Sequence, residues 1–276
     1  MVKFVCVILL FINIFNIAHG SELRRKVRNT YRINNIEPID LVLIDIPKYR
    51  DIKSDNIIYN QVLSYSKESP FGDPYGRSTN VHETVHGINN QLRNQYKIEL
   101  KKDINSFYIG EGKAIIIDNP NITMRDIIPH IPLIARGYRY NLYFVKQLGN
   151  WNDVPTYPID EWSAYIAGAE CAVNDTTNSI TISKSDYVSG ALEFSIYCTA
   201  LSMAISKKDL NYWNNNKQFK NLIQYFLIKS EKIFFEGKDI FPSGQQDELL
   251  DNLRTHEDTR YIREFLLSEF RGIFIR

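Results

Sequence analysis

The segment His82-Glu83-Thr84-Val85-His86 combines two imidazoles and a carboxylate at a spacing that suits metal chemistry. If the segment is helical, His82 and His86 lie one turn apart on one face, so both side chains can reach a single ion. Glu83 follows His82 by one residue, so its carboxylate can reach a water on that ion rather than the ion itself. The pattern therefore predicts a zinc site in which Glu83 acts as general base and acid.

A catalytic zinc usually has three protein ligands and one open position, so a third ligand must come from elsewhere in the chain. The longer motif with a third histidine six residues after His86 is absent, because Leu92 occupies that position. We therefore expect a carboxylate. Glu161, at the start of a predicted helix, is favoured, and Asp160 beside it could hold an imidazole. Glu111, between two glycines, is the alternative.

The helix that must carry the two histidines is visible in the apolar residues around them. They are spaced by four, three and four residues, at Val81, Val85, Ile88 and Leu92. This spacing predicts an amphipathic helix over about 79–96, with Ser78 or Thr79 as its N-cap. Gly87 lies inside this helix, where it would allow another backbone to approach closely.

Helical patterns outnumber strand patterns in the rest of the chain. Further helices are predicted over 160–172, 187–206, 219–235 and 259–274. Strands are predicted over 41–46 and over 107–118, the latter as one strand or a hairpin, while 138–148 fits either type of element. An extended peptide could add to the strand at 114–117. The expected fold class is α+β with helix dominant.

The HETVH segment followed by a later helical Glu-x-x-Ala resembles the gluzincin metallopeptidases. The Glu-x-x-Ala pattern is similar to the metal helix of the anthrax-lethal-factor-like branch of that group. The resemblance implies a zincin-like fold with a small sheet and an HExxH metal helix. It also implies that His82, His86 and Glu161 are the zinc ligands and that Glu83 is the general base.

Residues 1–20 have the pattern of a secretory signal, with Lys3, an apolar run of about 15 residues and small residues before Ser21. The run is shorter than the roughly 20 residues that span a bilayer. We expect 1–20 to be removed and 21–276 to form a single catalytic domain. The domain would be secreted, or periplasmic in a bacterium, with no later segment that spans a membrane.

The 33 basic residues nearly cancel the 32 acidic ones, which argues against a nucleic-acid binder. The expected partner is instead a protein or peptide substrate. Cys171 and Cys198 lie within the predicted mature domain, where an oxidising compartment would permit them to pair. Two buried free thiols are the alternative.

The function predicted from these features is a secreted zinc-dependent metallopeptidase. One alternative is a catalytically inactive secreted binding protein that keeps the zincin-like fold. Another is a zinc hydrolase that acts on a non-peptide bond. A donor to the developing oxyanion is also required. The candidates near the predicted site are Tyr138, Tyr140, Tyr143, Tyr157 and Tyr165.

Overall fold

The computed structural model describes residues 39–68, 76–177 and 186–276, and Leu41–Arg276 forms one compact unit. The predicted signal at 1–20 lies outside the described residues. The elements are β1 (Leu43–Asp45), α1 (Ile57–Ser64), α2 (Arg77–Leu100), β2 (Ile104–Gly110), β3 (Lys113–Asp118), α3 (Met124–Ile127), α4 (Leu148–Trp151), α5 (Tyr157–Thr177), α6 (Tyr187–Lys208), α7 (Leu210–Asn215), α8 (Lys217–Gly237), α9 (Gln246–Thr255) and α10 (Arg260–Phe270). Helices dominate, and three strands form one antiparallel sheet, so the α+β prediction is confirmed at this level.

The predicted amphipathic helix is α2, and its apolar stripe is buried as expected. The buried residues are Val81, Val85, Ile88 and Leu92. The predicted N-caps are wrong, because α2 begins at Arg77 after Gly76, and no side chain caps it. Thr79 lies in the first turn instead, where its hydroxyl accepts a hydrogen bond from Tyr187 on α6.

The hairpin alternative for 107–118 is confirmed, and β3 is the central strand of the order β1-β3-β2. Glu111 and Gly112 form the two-residue turn with φ of 52° and 67°. Two left-handed residues in succession suit the right-handed twist of the flanking strands. Addition of a peptide at the start of the 114–117 segment is excluded, because Ala114 and Ile115 already pair with both β1 and β2, while Ile116 and Ile117 pair with β2.

Helix α5 lies between α2 and the large helical core formed by α6 and α8. It begins three residues earlier than predicted, because Pro158 is tolerated in a first turn, where backbone N–H groups have no intrahelical partner. Small side chains on α5 pack in the same apolar cluster as the stripe of α2, at Ala164, Ala167 and Cys171. These small residues allow the two helices to approach closely.

The helices predicted over 187–206 and 219–235 are present as α6 and α8. The last predicted helix ends early, at Phe270, because Arg271 and Gly272 adopt left-handed φ of 58° and 69°. Helix α9 was not predicted, since its sequence is mostly polar and only its leucines are apolar. The 138–148 segment contains a π-helix over Leu142–Lys146, so the helical alternative is the correct one.

Among the described residues, α6 is long and apolar enough to cross a membrane by length and composition. The sequence had led us to expect no segment after residue 20 that is long and apolar enough to span a membrane, and by this criterion that expectation is wrong. However, 94% of the most apolar window of α6 is buried inside the protein, as in the core helix of a soluble domain.

Cys171 and Cys198 are both buried and are not bonded to each other. Burial raises the pKa of the Cys171 thiol to about 12, and it raises that of Cys198 well above its ordinary value. The structure therefore corresponds to the alternative with two buried free thiols, which react poorly in this state.

Two helix glycines have opposite surroundings. Among the described residues, a Cβ on Gly87 would meet only the Glu68 side chain, at 3.5 Å, so no described backbone approaches this position closely. A Cβ on Gly168 would lie 2.9 Å from the Tyr187 ring and 3.3 Å from the Ser78 carbonyl oxygen.

Replacement of Gly87 by alanine should raise the free energy of unfolding by about 0.5–1 kcal/mol, because alanine is favoured in a helix interior. Gly168→Ala is the matched control and should lower it, because the new Cβ would force α5 away from Tyr187. Thermal unfolding should show midpoint shifts of opposite sign, of roughly 2–4 °C per kcal/mol. Shifts of the same sign would contradict this account of the space around the two glycines.

Candidate metal centre

His82 and His86 lie one turn apart on α2, with their Nε2 atoms 3.1 Å apart. His82 is buried, and its ring lies against the rings of Tyr165 and Tyr187 at centroid distances of 4.7 and 5.3 Å. The side chain of His86 is 23% exposed. One imidazole is therefore fixed by aromatic packing, while the other borders solvent.

Glu161, just after the first turn of α5, completes a group of three side chains that could hold a metal ion. Its Oε2 atom is 3.8 Å from Nε2 of His82 and 3.6 Å from Nε2 of His86. Together with the 3.1 Å between the nitrogens, these distances define a point about 2.0 Å from all three atoms. That is the usual distance between zinc and imidazole or carboxylate ligands, so the spacing suits a single ion.

The second ring nitrogen of His86 is held by the residue before Glu161. Nδ1 of His86 lies 2.6 Å from Oδ2 of Asp160, so an Nδ1–H group donates to the carboxylate. This bond places the lone pair of neutral His86 on Nε2, toward His82 and Glu161. A carboxylate behind a metal-binding imidazole both orients the ring and increases its basicity.

The charges around the two rings give them opposite pKa shifts. Burial lowers the pKa of His82 well below its ordinary value, and the neighbouring His86 adds to this. Burial also lowers the pKa of His86, but the Asp160 and Glu161 carboxylates outweigh it and place this pKa well above the ordinary value. In the metal-free protein, the positive charge of protonated His86 is therefore balanced by the Asp160 and Glu161 carboxylates.

Two of the five candidate tyrosines hold the Glu161 carboxylate. Tyr143 donates to Oε2 at 2.9 Å, and Tyr157 donates to Oε1 at 2.7 Å. Burial and the charge of Glu161 raise the pKa of both tyrosines, so their hydroxyls stay protonated as donors. The ring of Tyr157 stacks on Trp151 at a centroid distance of 4.2 Å. These contacts fix both oxygens of the carboxylate.

Tyr165 links this cluster to a buried ion pair. Its hydroxyl is 3.5 Å from that of Tyr143, and the Arg139 guanidinium lies over its ring at 4.7 Å. Arg139 is paired with Glu193 and Asp186, each at 2.6 Å. The remaining two candidate tyrosines have other surroundings, since the side chain of Tyr138 is 77% exposed and the ring of Tyr140 stacks on Phe144.

Glu83 lies beside His82 on α2, with its side chain exposed to solvent. It is close enough to Tyr187 to contribute to the pKa of that hydroxyl, which burial raises to about 12. The ring of Tyr187 in turn contacts His82. The Glu83 carboxylate is thus exposed to solvent and near Tyr187, on the helix that carries both histidines.

The other candidates from the sequence lie outside the cluster. Glu111 is exposed at the tip of the β2–β3 hairpin, where its left-handed φ is part of the turn. His130 lies in a short 3₁₀ helix, and His256 follows the end of α9. The structure therefore brings Glu161, and not Glu111, together with His82 and His86.

Two residues that contact the cluster were not predicted from the sequence. Asn89 is buried and donates to Asp160 at 2.8 Å. Tyr187 packs on His82 from the start of α6. A signal for Asn89 was present, because it follows His82 by seven residues and so repeats the same helical face. Tyr187 carries no local signal, since only tertiary packing places it there.

Comparison of this chain with family models, with curated proteins and with solved structures finds no match. The resemblance to the gluzincins therefore remains a hypothesis that rests on His82, Glu83, His86 and Glu161. In the structure, two imidazole nitrogens and one carboxylate oxygen converge in a largely buried group that could hold a metal ion.

Substitution of each candidate glutamate should separate ligand from non-ligand. We expect Glu161→Gln to lose most of its zinc, because a neutral amide is a much weaker zinc ligand than a carboxylate. The control Glu111→Gln should keep about one zinc per molecule, like the wild type. Elemental analysis after dialysis gives the metal content, and circular dichroism checks the fold. Equal zinc content in the two variants would remove Glu161 from the ligand set.

Metal binding should release about one proton at neutral pH, because His86 is protonated in the metal-free protein and must lose that proton to become a ligand. The apparent affinity should therefore fall up to tenfold per unit as the pH drops below the pKa of His86. Calorimetry in two buffers of different ionisation enthalpy measures the released protons. In Asp160→Asn the pKa of His86 loses its main raising cause, so fewer protons should be released. Unchanged release would contradict this role for Asp160.

Proposed function

We propose that this protein is a secreted zinc-dependent metallopeptidase with His82, His86 and Glu161 as its ligands. The observation that carries the proposal is the convergence of the three donor atoms at a spacing that fits one ion. Glu83 lies on the same helix, exposed to solvent beside the first ligand. Secretion rests on the signal pattern of residues 1–20 alone.

The chemistry of the donor set favours zinc among the common divalent ions. Two imidazoles and one carboxylate form a borderline-soft set, whereas magnesium and calcium prefer oxygen ligands alone. Three protein ligands also leave a fourth tetrahedral position open, which is typical of catalytic rather than structural zinc. Bound there, zinc would supply a Lewis acid that polarises a carbonyl and lowers the pKa of water.

The residues of this chain then divide the remaining tasks. Glu83 takes a proton from the water that attacks the scissile carbonyl and returns it to the nitrogen of the leaving amine. Asp160 keeps the proton of His86 on Nδ1, so that Nε2 stays free. Tyr143 and Tyr157 restrain the Glu161 carboxylate between them.

The bound peptide must lie on the solvent side of His86 and Glu83. The backbone of β2 near the site is already occupied: Asn89 accepts from Tyr108 N–H, and Ser163 donates to the Tyr108 carbonyl oxygen. Strand addition at these positions is therefore blocked. Among the described residues, a peptide can approach along the face of α2 that exposes Glu83 and part of His86.

A matched pair of glutamates on α2 tests the proposal. We expect Glu83→Gln to keep its zinc but to cleave unfolded casein at least about 100-fold more slowly, because the general base is lost. Glu99→Gln should keep wild-type activity, since Glu99 is exposed on the same helix but 16 residues away, about 24 Å along the axis. Mass spectrometry of the fragments measures cleavage.

The outcomes also separate the alternatives. Undiminished cleavage by Glu83→Gln would exclude Glu83 as the general base. A wild-type protein that binds zinc but cleaves neither casein nor a mixed peptide library would favour a binding protein. Hydrolysis of an activated ester without peptide cleavage, lost in Glu83→Gln, would favour a hydrolase of non-peptide bonds.

A further inference from the structure

Asn89 lies one turn after His86 on α2 and is only 1% exposed. A buried primary amide must find partners for its oxygen and its two N–H groups, or it costs stability. Its oxygen accepts the backbone N–H of Tyr108 on β2 at 2.6 Å. Its Nδ2 donates to Oδ1 of Asp160 on α5 at 2.8 Å.

The backbone of β2 decides which way this amide points. The Tyr108 N–H can only donate, so the atom of Asn89 that faces it must be the oxygen. The nitrogen then necessarily faces Asp160. The backbone of Asn89 is also held, because the Ser106 hydroxyl donates to its carbonyl oxygen at 2.8 Å. The amide therefore has one orientation, set by the sheet.

The two carboxylate oxygens of Asp160 accept hydrogen bonds from two different side chains. Oδ1 accepts from Asn89, and Oδ2 accepts from Nδ1 of His86 at 2.6 Å. With one oxygen occupied, the carboxylate cannot rotate away from the imidazole without breaking a buried hydrogen bond. Ser163, one turn further along α5, is bound to the Tyr108 carbonyl oxygen at 2.7 Å, so the same β2 residue is held by both helices.

We propose that Asn89 is a positioning residue for the metal centre, which acts through Asp160 to keep His86 oriented with Nε2 free for the ion. The inference rests on the metal site proposed above and deepens it. Asn89 does not touch the ion or the substrate. Its hydrogen bonds connect β2 to His86 through Asp160. The affinity for metal therefore depends on a residue that is not itself a ligand.

The chain offers a close match for a control. Asn56 is also fully buried, its oxygen accepts the backbone N–H of Tyr59 at 2.9 Å, and its Nδ2 donates to Oδ1 of Asp175 at 2.7 Å. Asp175 lies on α5 like Asp160, but at the other end and away from the ligands. The Nδ2 of Asn56 also donates to the Cys171 carbonyl oxygen at 2.9 Å. The change from asparagine to aspartate therefore removes at least as many hydrogen bonds at position 56 as at position 89.

The test compares N89D and N56D by zinc affinity, measured in competition with a chromophoric chelator, and by the visible spectrum of the cobalt-loaded protein. We expect N89D to bind zinc at least about tenfold more weakly, within the range for residues behind a metal ligand. Its cobalt bands should also shift. N56D should bind zinc within about twofold of the wild type, with an unchanged cobalt spectrum.

Equal zinc affinity in wild type and N89D would overturn the proposal, and so would equal weakening in N89D and N56D, which would indicate general destabilisation. If N89D fails to fold, N89A is used in its place, because alanine adds no charge. Its zinc affinity and cobalt spectrum are then measured at low temperature. A wild-type protein that binds neither zinc nor cobalt would instead overturn the metal site itself.

Discussion

The contact between α2 and α5 is the constraint on which the site depends. The ligands come from two helices, with Glu161 75 residues after His86 in the sequence. Small side chains on α5 let the helices approach, and the hydrogen bond between Asp160 and His86 fixes their relative position at the first turn of α5. A bulkier interface would separate the carboxylate from the imidazoles, so packing of apolar residues decides whether the donors converge.

This convergence is electrostatically costly, and the neighbouring residues show how it is accommodated. Two nitrogen atoms and a carboxylate oxygen lie close together with little access to water, where an unsatisfied polar atom destabilises the fold. The tyrosines 143 and 157 supply donors to the carboxylate, and Asp160 supplies an acceptor to His86. In the metal-free state a proton on His86 takes the position of a cation. A group arranged to hold positive charge in this way could hold a metal ion.

Elements that are determined by residues close in sequence were predicted correctly, whereas those that depend on contacts between distant parts of the chain were not. Helix α2 was predictable because its apolar stripe is buried along its length. The two glycines made a hairpin over 107–118 one of two alternatives, and the left-handed φ of residues 111 and 112 shows that it is the correct one. The N-cap of α2 was wrong, since Thr79 forms a hydrogen bond to Tyr187 on a distant helix. Helix α9 was missed because it is mostly polar, so its helical state depends on the core against which its leucines pack.

Local spacing alone predicts the available chemistry, because a helix of 3.6 residues per turn places two histidines four residues apart one turn from each other, with a glutamate between them. The sequence also reduced the third ligand to a carboxylate with two candidates. Of these two, tertiary packing brings Glu161 to the imidazoles, because α5 packs on α2, whereas Glu111 lies in the turn at the tip of a hairpin. The support from Asn89 was likewise decided in three dimensions, since its partners lie on β2 and α5 and no local pattern specifies which strand or helix meets a given face.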